Sequence, residues 1–285
     1  MLEWNIGDVR IRAAVETMLE VPAEAMIDRV SPETVAPYLS WLQPDYLTED
    51  FIMKVAIQSI LVESAGTRIV VDTCFGNDRE LPYPNVPVLH TDFLDRLAAS
   101  GFPREEVDTV LCTHLHFDHV GWNTMLVDGE WVPTFPNATY LFGQDEYAFW
   151  QDHDDFNIDL TDNVGPVVAA GLQQFVGTDH RITDEVWLEP TPGHSPGHVS
   201  VRVESKGDRA LISGDMIHHP VQFVEQTWPA VSDHDPERAV ATRQRMLRAL
   251  ANTDVLLIGT HFAAPTAGYV KESDGTWSWH AVGSA

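Results

Sequence analysis

Val110-Leu111-Cys112-Thr113-His114-Leu115-His116-Phe117-Asp118-His119-Val120-Gly121 is the stretch on which the reading of this chain turns. The apolar run 107–112, with its polar interruptions, predicts a buried strand that ends in a loop. Within six residues that loop holds three histidines and one aspartate, in the order His-x-His-x-Asp-His. Imidazole and carboxylate together suit zinc and the neighbouring first-row metals. Residues i and i+2 of an extended segment face the same way, so His114 and His116 can grip one ion together. The chain then turns, and Asp118 and His119 can aim at a second ion. A solvated polar loop is the bland alternative. A lone histidine would favour it, but four ligand-type residues at this spacing do not.

Composition narrows the partners. The 285 residues, 44% of them hydrophobic, suffice for one large core carried by a single domain over 1–285. With 43 acidic against 17 basic side chains the formal charge is -26, and no basic stripe offsets it, so nucleic acid is not expected as a partner. Cations bound in a cleft would invert that sign locally, which leaves an anionic substrate open. The two cysteines, Cys74 and Cys112, fall in or at the ends of apolar runs and read as reduced, packed thiols. Met1-Leu2-Glu3-Trp4-Asn5 lacks a secretory pattern, and no apolar run is long enough to span a membrane. A cytoplasmic protein without a membrane partner is the expectation.

Taken in order, residues 4–15 predict a strand. A stretch punctuated by Pro22, Pro32, Pro37 and Pro44 follows, with a short helix over 23–30. This segment, 1–50, is expected as an extension draped over the core or placed at a subunit contact, which would be compatible with a homodimer. Runs 55–63 and 68–74 predict strands joined by a hairpin turn at Ser64-Ala65-Gly66-Thr67. Asp72 ends the second run, and either a turn-forming or a functional role is open to it. The polar, Pro-rich loop 76–90 is long enough to reach over a site. Thr91 then predicts a helix start, with Phe93, Leu94 and Leu97 on one face and Gly101 as the stop. Further strands are expected within 131–142, a short helix over 145–150, and an acidic insertion over 151–180 near the mouth of the site. Val199, Val201 and Val203 alternate as a half-buried strand should. Asp235-Pro236 opens a helix with a capping carboxylate, and Arg243, Arg245 and Arg248 lie towards its C-terminal half, where the helix dipole favours cations.

Three more ligand candidates stand at the ends of expected strands: His194, Asp215 in Ser213-Gly214-Asp215, and His261 in Gly259-Thr260-His261. Each alone is weak. With the opening motif they make five histidines and two aspartates, enough for a two-metal site with one bridging carboxylate. At this point the chain resembles the metallo-β-lactamase superfamily. Five motifs carry the likeness: Val71-Asp72-Thr73, His114 to His119, Pro192-Gly193-His194, Gly214-Asp215 and Gly259-Thr260-His261. The resemblance implies an αββα sandwich, an α/β fold of two mixed sheets flanked by helices. By that likeness His114, His116 and His194 would hold one metal and Asp118, His119 and His261 the other. Asp215 would bridge them, and Asp72 would support a ligand without touching an ion. The cofactor implied is a pair of divalent ions, zinc foremost, with manganese, cobalt or iron as alternatives.

Departures narrow the branch. True zinc β-lactamases generally lack the bridging aspartate, and the oxygen-reducing di-iron relatives carry glutamate where Leu115 stands. Lactone-opening relatives often have a tyrosine three residues beyond the bridging aspartate. Here that position is His218, followed by Val221-Gln222-Phe223, which is similar to the methyl parathion hydrolase branch with its arylesterases and lactonases. Metal-bound water has its pKa lowered to about 7, so a bridging hydroxide could attack an ester, lactone or phosphotriester. Asp118 could shuttle the released proton, and His218 could serve the oxyanion or leaving group. Trp122 and Phe223, each following a ligand-bearing loop, are nominated for an apolar substrate pocket. A mononuclear iron enzyme resembling persulfide dioxygenases, or a thioesterase resembling glyoxalase II, is the alternative function.

Overall fold

Side-chain alternation along the strands sorts the apolar residues among three layers of packing. The computed structural model describes residues 1–81, 87–155 and 157–283. The middle of the 76–90 loop therefore lies outside the described residues. The first half of the chain forms β1 (Leu2–Ile6), β2 (Val9–Pro22), β3 (Ile52–Ser64), β4 (Thr67–Val71) and β5 (Thr109–Leu111). A separate ribbon of β6 (Thr124–Val127) and β7 (Glu130–Pro133) follows, then β8 (Thr139–Gly143) and β9 (Gln173–Val176). Hydrogen bonds order one sheet as β1-β2-β3-β4-β5-β8-β9, antiparallel up to β4 and parallel beyond it. The second sheet runs in chain order through β10 (Val186–Pro190), β11 (Val199–Ser205), β12 (Asp208–Ile212), β13 (Val255–Ile258), β14 (Ala267–Ser273) and β15 (Thr276–Val282), with β12 and β13 parallel.

Between the sheets, Ile69 and Val71 of β4, Leu111 of β5 and Leu141 of β8 meet Val199, Val201 and Val203 of β11 and Ile258 of β13. The intervening Val70 and Val110 face outwards, into a cluster with Phe93 and Leu97 of the helix Phe93–Ala99. On the far side of the second sheet, Leu211, Val255 and Leu257 pack on Met246, Leu247 and Leu250 of the helix Pro236–Leu250. A strand's period of two is what divides neighbours between these layers. The order helix, sheet, sheet, helix is the αββα sandwich.

Several expectations need correction. Residues 2–22 are integral to the first sheet: they form a hairpin turning at Gly7, whose φ is +58°. Trp4, Ile6, Val9 and Ile11 alternate into the inter-sheet core, which a draped extension would not do. From residue 23 onward Ile27, Val35, Leu42 and Leu47 do lie against the outer cluster. Thr91 does not cap its helix. Asp92 holds that position, while the Thr91 N–H donates to Asn77 Oδ1 at 2.8 Å. The segment 151–180 contributes edge strand β9 and also reaches the metal motif, where the Phe117 N–H donates to Asn157 O at 2.8 Å.

One close approach locks the motif's far end to the first sheet. The Gly121 N–H donates to Cys74 O at 2.8 Å, and a Cβ on Gly121 would lie 1.8 Å from Phe75 O. No side chain moves to relieve a clash with a backbone carbonyl. Gly121→Ala is therefore expected to cost more than about 3 kcal/mol, read from urea unfolding. A loss under about 1 kcal/mol would show that the two segments are not pressed together.

Candidate metal centre

Every ligand candidate stands just past the C-terminal end of a strand. His114 and His116 follow β5, with Asp118 and His119 on the one-turn helix Phe117–Val120. His194 follows β10, Asp215 follows β12 and His261 follows β13. Because β4, β5 and β8 are parallel, as are β12 and β13, these ends open on one edge of the sandwich. Gly193 lets His194 in: its φ is +136°, and a Cβ there would lie 2.3 Å from Ala239 N in the helix Pro236–Leu250.

The side chains meet in two sets. His194 Nε2 lies 3.2 Å from His114 Nε2 and 3.0 Å from His116 Nδ1. His261 Nε2 lies 3.2 Å from His119 Nε2, and Asp118 Oδ2 lies 3.4 Å from the former and 3.5 Å from the latter. Asp215 divides its oxygens between the sets. Oδ1 faces His119 Nε2 at 3.4 Å and His261 Nε2 at 3.2 Å, and Oδ2 faces His194 Nε2 at 3.4 Å. All are buried except Asp118, whose side chain is 18% exposed.

The opposite ring nitrogens decide what those contacts are. His194 Nδ1–H donates to Asp233 Oδ1 at 3.0 Å, and His261 Nδ1–H donates to Ala56 O at 3.0 Å. The Thr113 hydroxyl donates to Asp72 Oδ2 at 2.9 Å, so it accepts from His114 Nδ1–H at 3.1 Å. In the first set the inner nitrogens of His114 and His194 therefore turn lone pairs towards the centre. In the second, burial would lower His119 and His261, but Asp215 and Asp118 raise both above the usual imidazole range, so protons stand there wherever a cation does not. Such a donor set fits a cation at each place, three imidazoles serving one and two imidazoles with a carboxylate serving the other. Burial holds His114 and His116 well below the usual imidazole range, which keeps them neutral. Burial would raise the Asp215 carboxyl, but the imidazoles of His261, His119 and His218 hold it well below the usual carboxylate range.

Supports for the ligands come from distant parts of the chain, as is usual for metal-binding histidines. Asp72 has φ +58°, accepts from Thr113 N at 2.7 Å and lies 2.9 Å from His119 Nδ1, so it braces both ends of the motif. Asp233, which carries no local signal in the sequence, also accepts from Ala230 N at 2.8 Å and faces Arg243 Nη2 at 3.6 Å. Arg243 is fully buried rather than a solvent-facing helix-end cation. Its guanidinium donates to the carbonyls of Met216, Gln226 and Trp228. It thereby holds the loop that carries His218. His218 Nε2 lies 3.2 Å from Asp215 Oδ2, and its ring is 4.7 Å from that of His194.

The two pocket nominations are corrected. The Trp122 indole N–H donates to buried Glu16 Oε1 at 2.6 Å and the ring stacks on Phe93, so it belongs to the outer core. Phe223 is fully buried and stacks on Trp279 at 4.5 Å, a partner supplied by the distant strand β15. The rings beside the metal set are Trp150, 6.4 Å from His116, with Phe149 and His234 edge-on to it.

A sandwich of this order with its ligands at strand ends is the architecture of one superfamily. The family description "Metallo-beta-lactamase superfamily" matches residues 54–261, and the chain belongs to it. Among solved structures, a hydrolase named AbOPH in the beta lactamase superfamily superposes with TM-score 0.82 at 27% identity, covering 99% of this chain and 97% of that one. A dizinc quorum-quenching lactonase superposes with TM-score 0.79 over 99% of this chain and 97% of that one, a likeness of fold at 20% identity. Among curated relatives, an N-acyl homoserine lactonase of Bacillus cereus is 26% identical over 148 residues, covering 51% of this chain and 52% of that protein. A gamma-lactamase of Fusarium pseudograminearum is 27% identical over 152 residues, covering 47% of this chain and 35% of that protein. The chain thus spans about half the length, or less, of these curated relatives.

Beside the site, His219 is held neutral. Its Nε2–H donates to Tyr46 O at 3.0 Å and its Nδ1 accepts from Val221 N at 3.2 Å, so a second proton would face an N–H. Burial pushes it from 6.5 down to about 4. Between those values the unfolded chain binds a proton that the folded chain does not. Stability therefore falls as pH drops through that window, by up to roughly 3 kcal/mol from this residue. His219→Gln should flatten that acid limb relative to wild type in urea unfolding of metal-free protein. Parallel curves for the two proteins would contradict this reading.

Proposed function

We propose that this chain is a metal-dependent hydrolase that holds two divalent ions, zinc foremost, and cleaves a small ester or lactone. The observation that carries the reading is Asp215, whose two oxygens face both sets, three imidazoles on one side and two imidazoles with Asp118 on the other. A single iron would leave Asp118, His119 and His261 converging on nothing, which disfavours the mononuclear alternative. The lactonase and lactamase names of the curated relatives point to the same kind of bond, a cyclic or linear acyl derivative. Two bound ions would supply an activated water at neutral pH and would polarise the acyl carbonyl.

The protein's own residues do the rest. Asp118, the least buried of the ligands, is kept ionised by His119 and His261 against the effect of burial. Its carboxylate relays the proton shed by the attacking water. His218, lowered by burial, faces the same space with neither ring nitrogen in a well-aligned hydrogen bond among the described residues. It donates to the oxygen on which charge develops, or to the leaving group. Phe149, half-buried and edge-on to the Trp150 ring that backs His116, gives an apolar face for an acyl or aryl group. A phosphotriester, neutral and of similar size, fits the same chemistry.

The test is a hydrolysis screen on protein of known metal content, covering lactones, aryl esters, phosphotriesters and thioesters. Two ions per chain with turnover of an ester or lactone is expected. One iron per chain with no hydrolysis would overturn the proposal. Asp215→Ala should lose metal and abolish turnover. His218→Ala should keep both ions and lower kcat by about 10²–10⁴-fold. An unchanged kcat would remove His218 from the reaction.

A further inference from the structure

Glu146 lies in the helix Gln144–Gln151 and is only 1% exposed. Four donors reach its carboxylate. Oε1 accepts from Trp150 Nε1 at 2.7 Å and from Leu115 N at 3.4 Å. Oε2 accepts from Ser195 Oγ at 2.8 Å and from Gly197 N at 2.7 Å. Leu115 lies between His114 and His116, and Ser195 directly follows His194. One carboxylate thus spans the two loops whose imidazole nitrogens close to 3.0 Å and 3.2 Å. The second loop is pressed tightly against it: a Cβ on Gly197 would lie 2.6 Å from Glu146 N. The other ligand set is braced elsewhere, by Asp72 behind His119 and by Ala56 O behind His261.

We propose that Glu146 is a positioning residue for the His114–His116–His194 set, its carboxylate fixing the gap between the two loops that carry those ligands. This rests on the two-ion reading above. Three of the four donors are N–H groups that cannot reverse, so the site demands acceptors on both oxygens. Glutamine, nearly the same shape, offers only one. Turned either way, its amide N–H₂ meets the Gly197 N–H on one side or the Trp150 and Leu115 N–H groups on the other. A buried donor facing a donor separates the loops and opens the trio. A residue that merely stabilised the fold would instead weaken both metal places alike.

Titration of metal-free protein with Co²⁺, read by visible absorption and by competition with a chelator, tests this. Wild type should saturate at two equivalents. Glu146→Gln should bind one equivalent with wild-type affinity and the other about 10–100-fold more weakly. Ser195→Ala removes one of the four donors and no acceptor, and should weaken the same equivalent by a smaller factor. Should Glu146→Gln fail to fold, Ser195→Ala decides alone. Unchanged affinities in the variants, or equal weakening of both equivalents, would overturn the proposal. Wild type saturating at one equivalent would instead fail the two-ion reading, and Glu146 would then have to show its effect on that single ion.

Discussion

Imidazole nitrogens face one another across 3.0 to 3.2 Å at the heart of this protein, and the rest of the site is arranged around that confrontation. Acceptors gathered in a buried space repel one another unless a cation or protons lie between them. Burial keeps protons off His114 and His116, so that set calls for a cation, whereas Asp215 and Asp118 favour protons on His119 and His261 when no cation is there. A cation in each set would satisfy the arrangement. Asp215 would supply the negative charge that two such ions need to sit close together.

The sandwich exists to make that geometry rigid. Alternation in β4, β5, β11 and β13 seals one face of each sheet against the other and leaves the strand ends open along one edge. From those ends the chain needs only one or a few residues to deliver each ligand. Buried charges then brace the ligands from behind: Asp72 for His119 and Thr113, Asp233 with Arg243 for His194. The same Arg243 grips the loop bearing His218, so the orientation of His194 and the placement of His218 share one anchor.

What the sequence makes legible follows from how local each signal is. His114 to His119 form one contiguous motif, and the strands around them announce themselves by alternation, so the layers and the ligand set can be read together. Asp233 sits 39 residues from the histidine it orients, and Glu146 sits 49 residues from the Ser195 hydroxyl it receives. Each looks like an ordinary surface acid until the fold closes. Trp122 and Phe223 mislead for the same reason. Proximity in sequence to a ligand loop says nothing about a partner such as Glu16 or Trp279, which comes from another part of the chain. Gly7 hides a second strand in what looks like one, because a single left-handed residue suffices to turn a hairpin.

The central claim is that one carboxylate divides two ions. Anomalous X-ray scattering from crystals of zinc-loaded protein tests it most directly. The account expects two peaks, one within His114, His116 and His194 and one within Asp118, His119 and His261, with Asp215 between them. A single peak, or two peaks with Asp215 turned away from either, would contradict it.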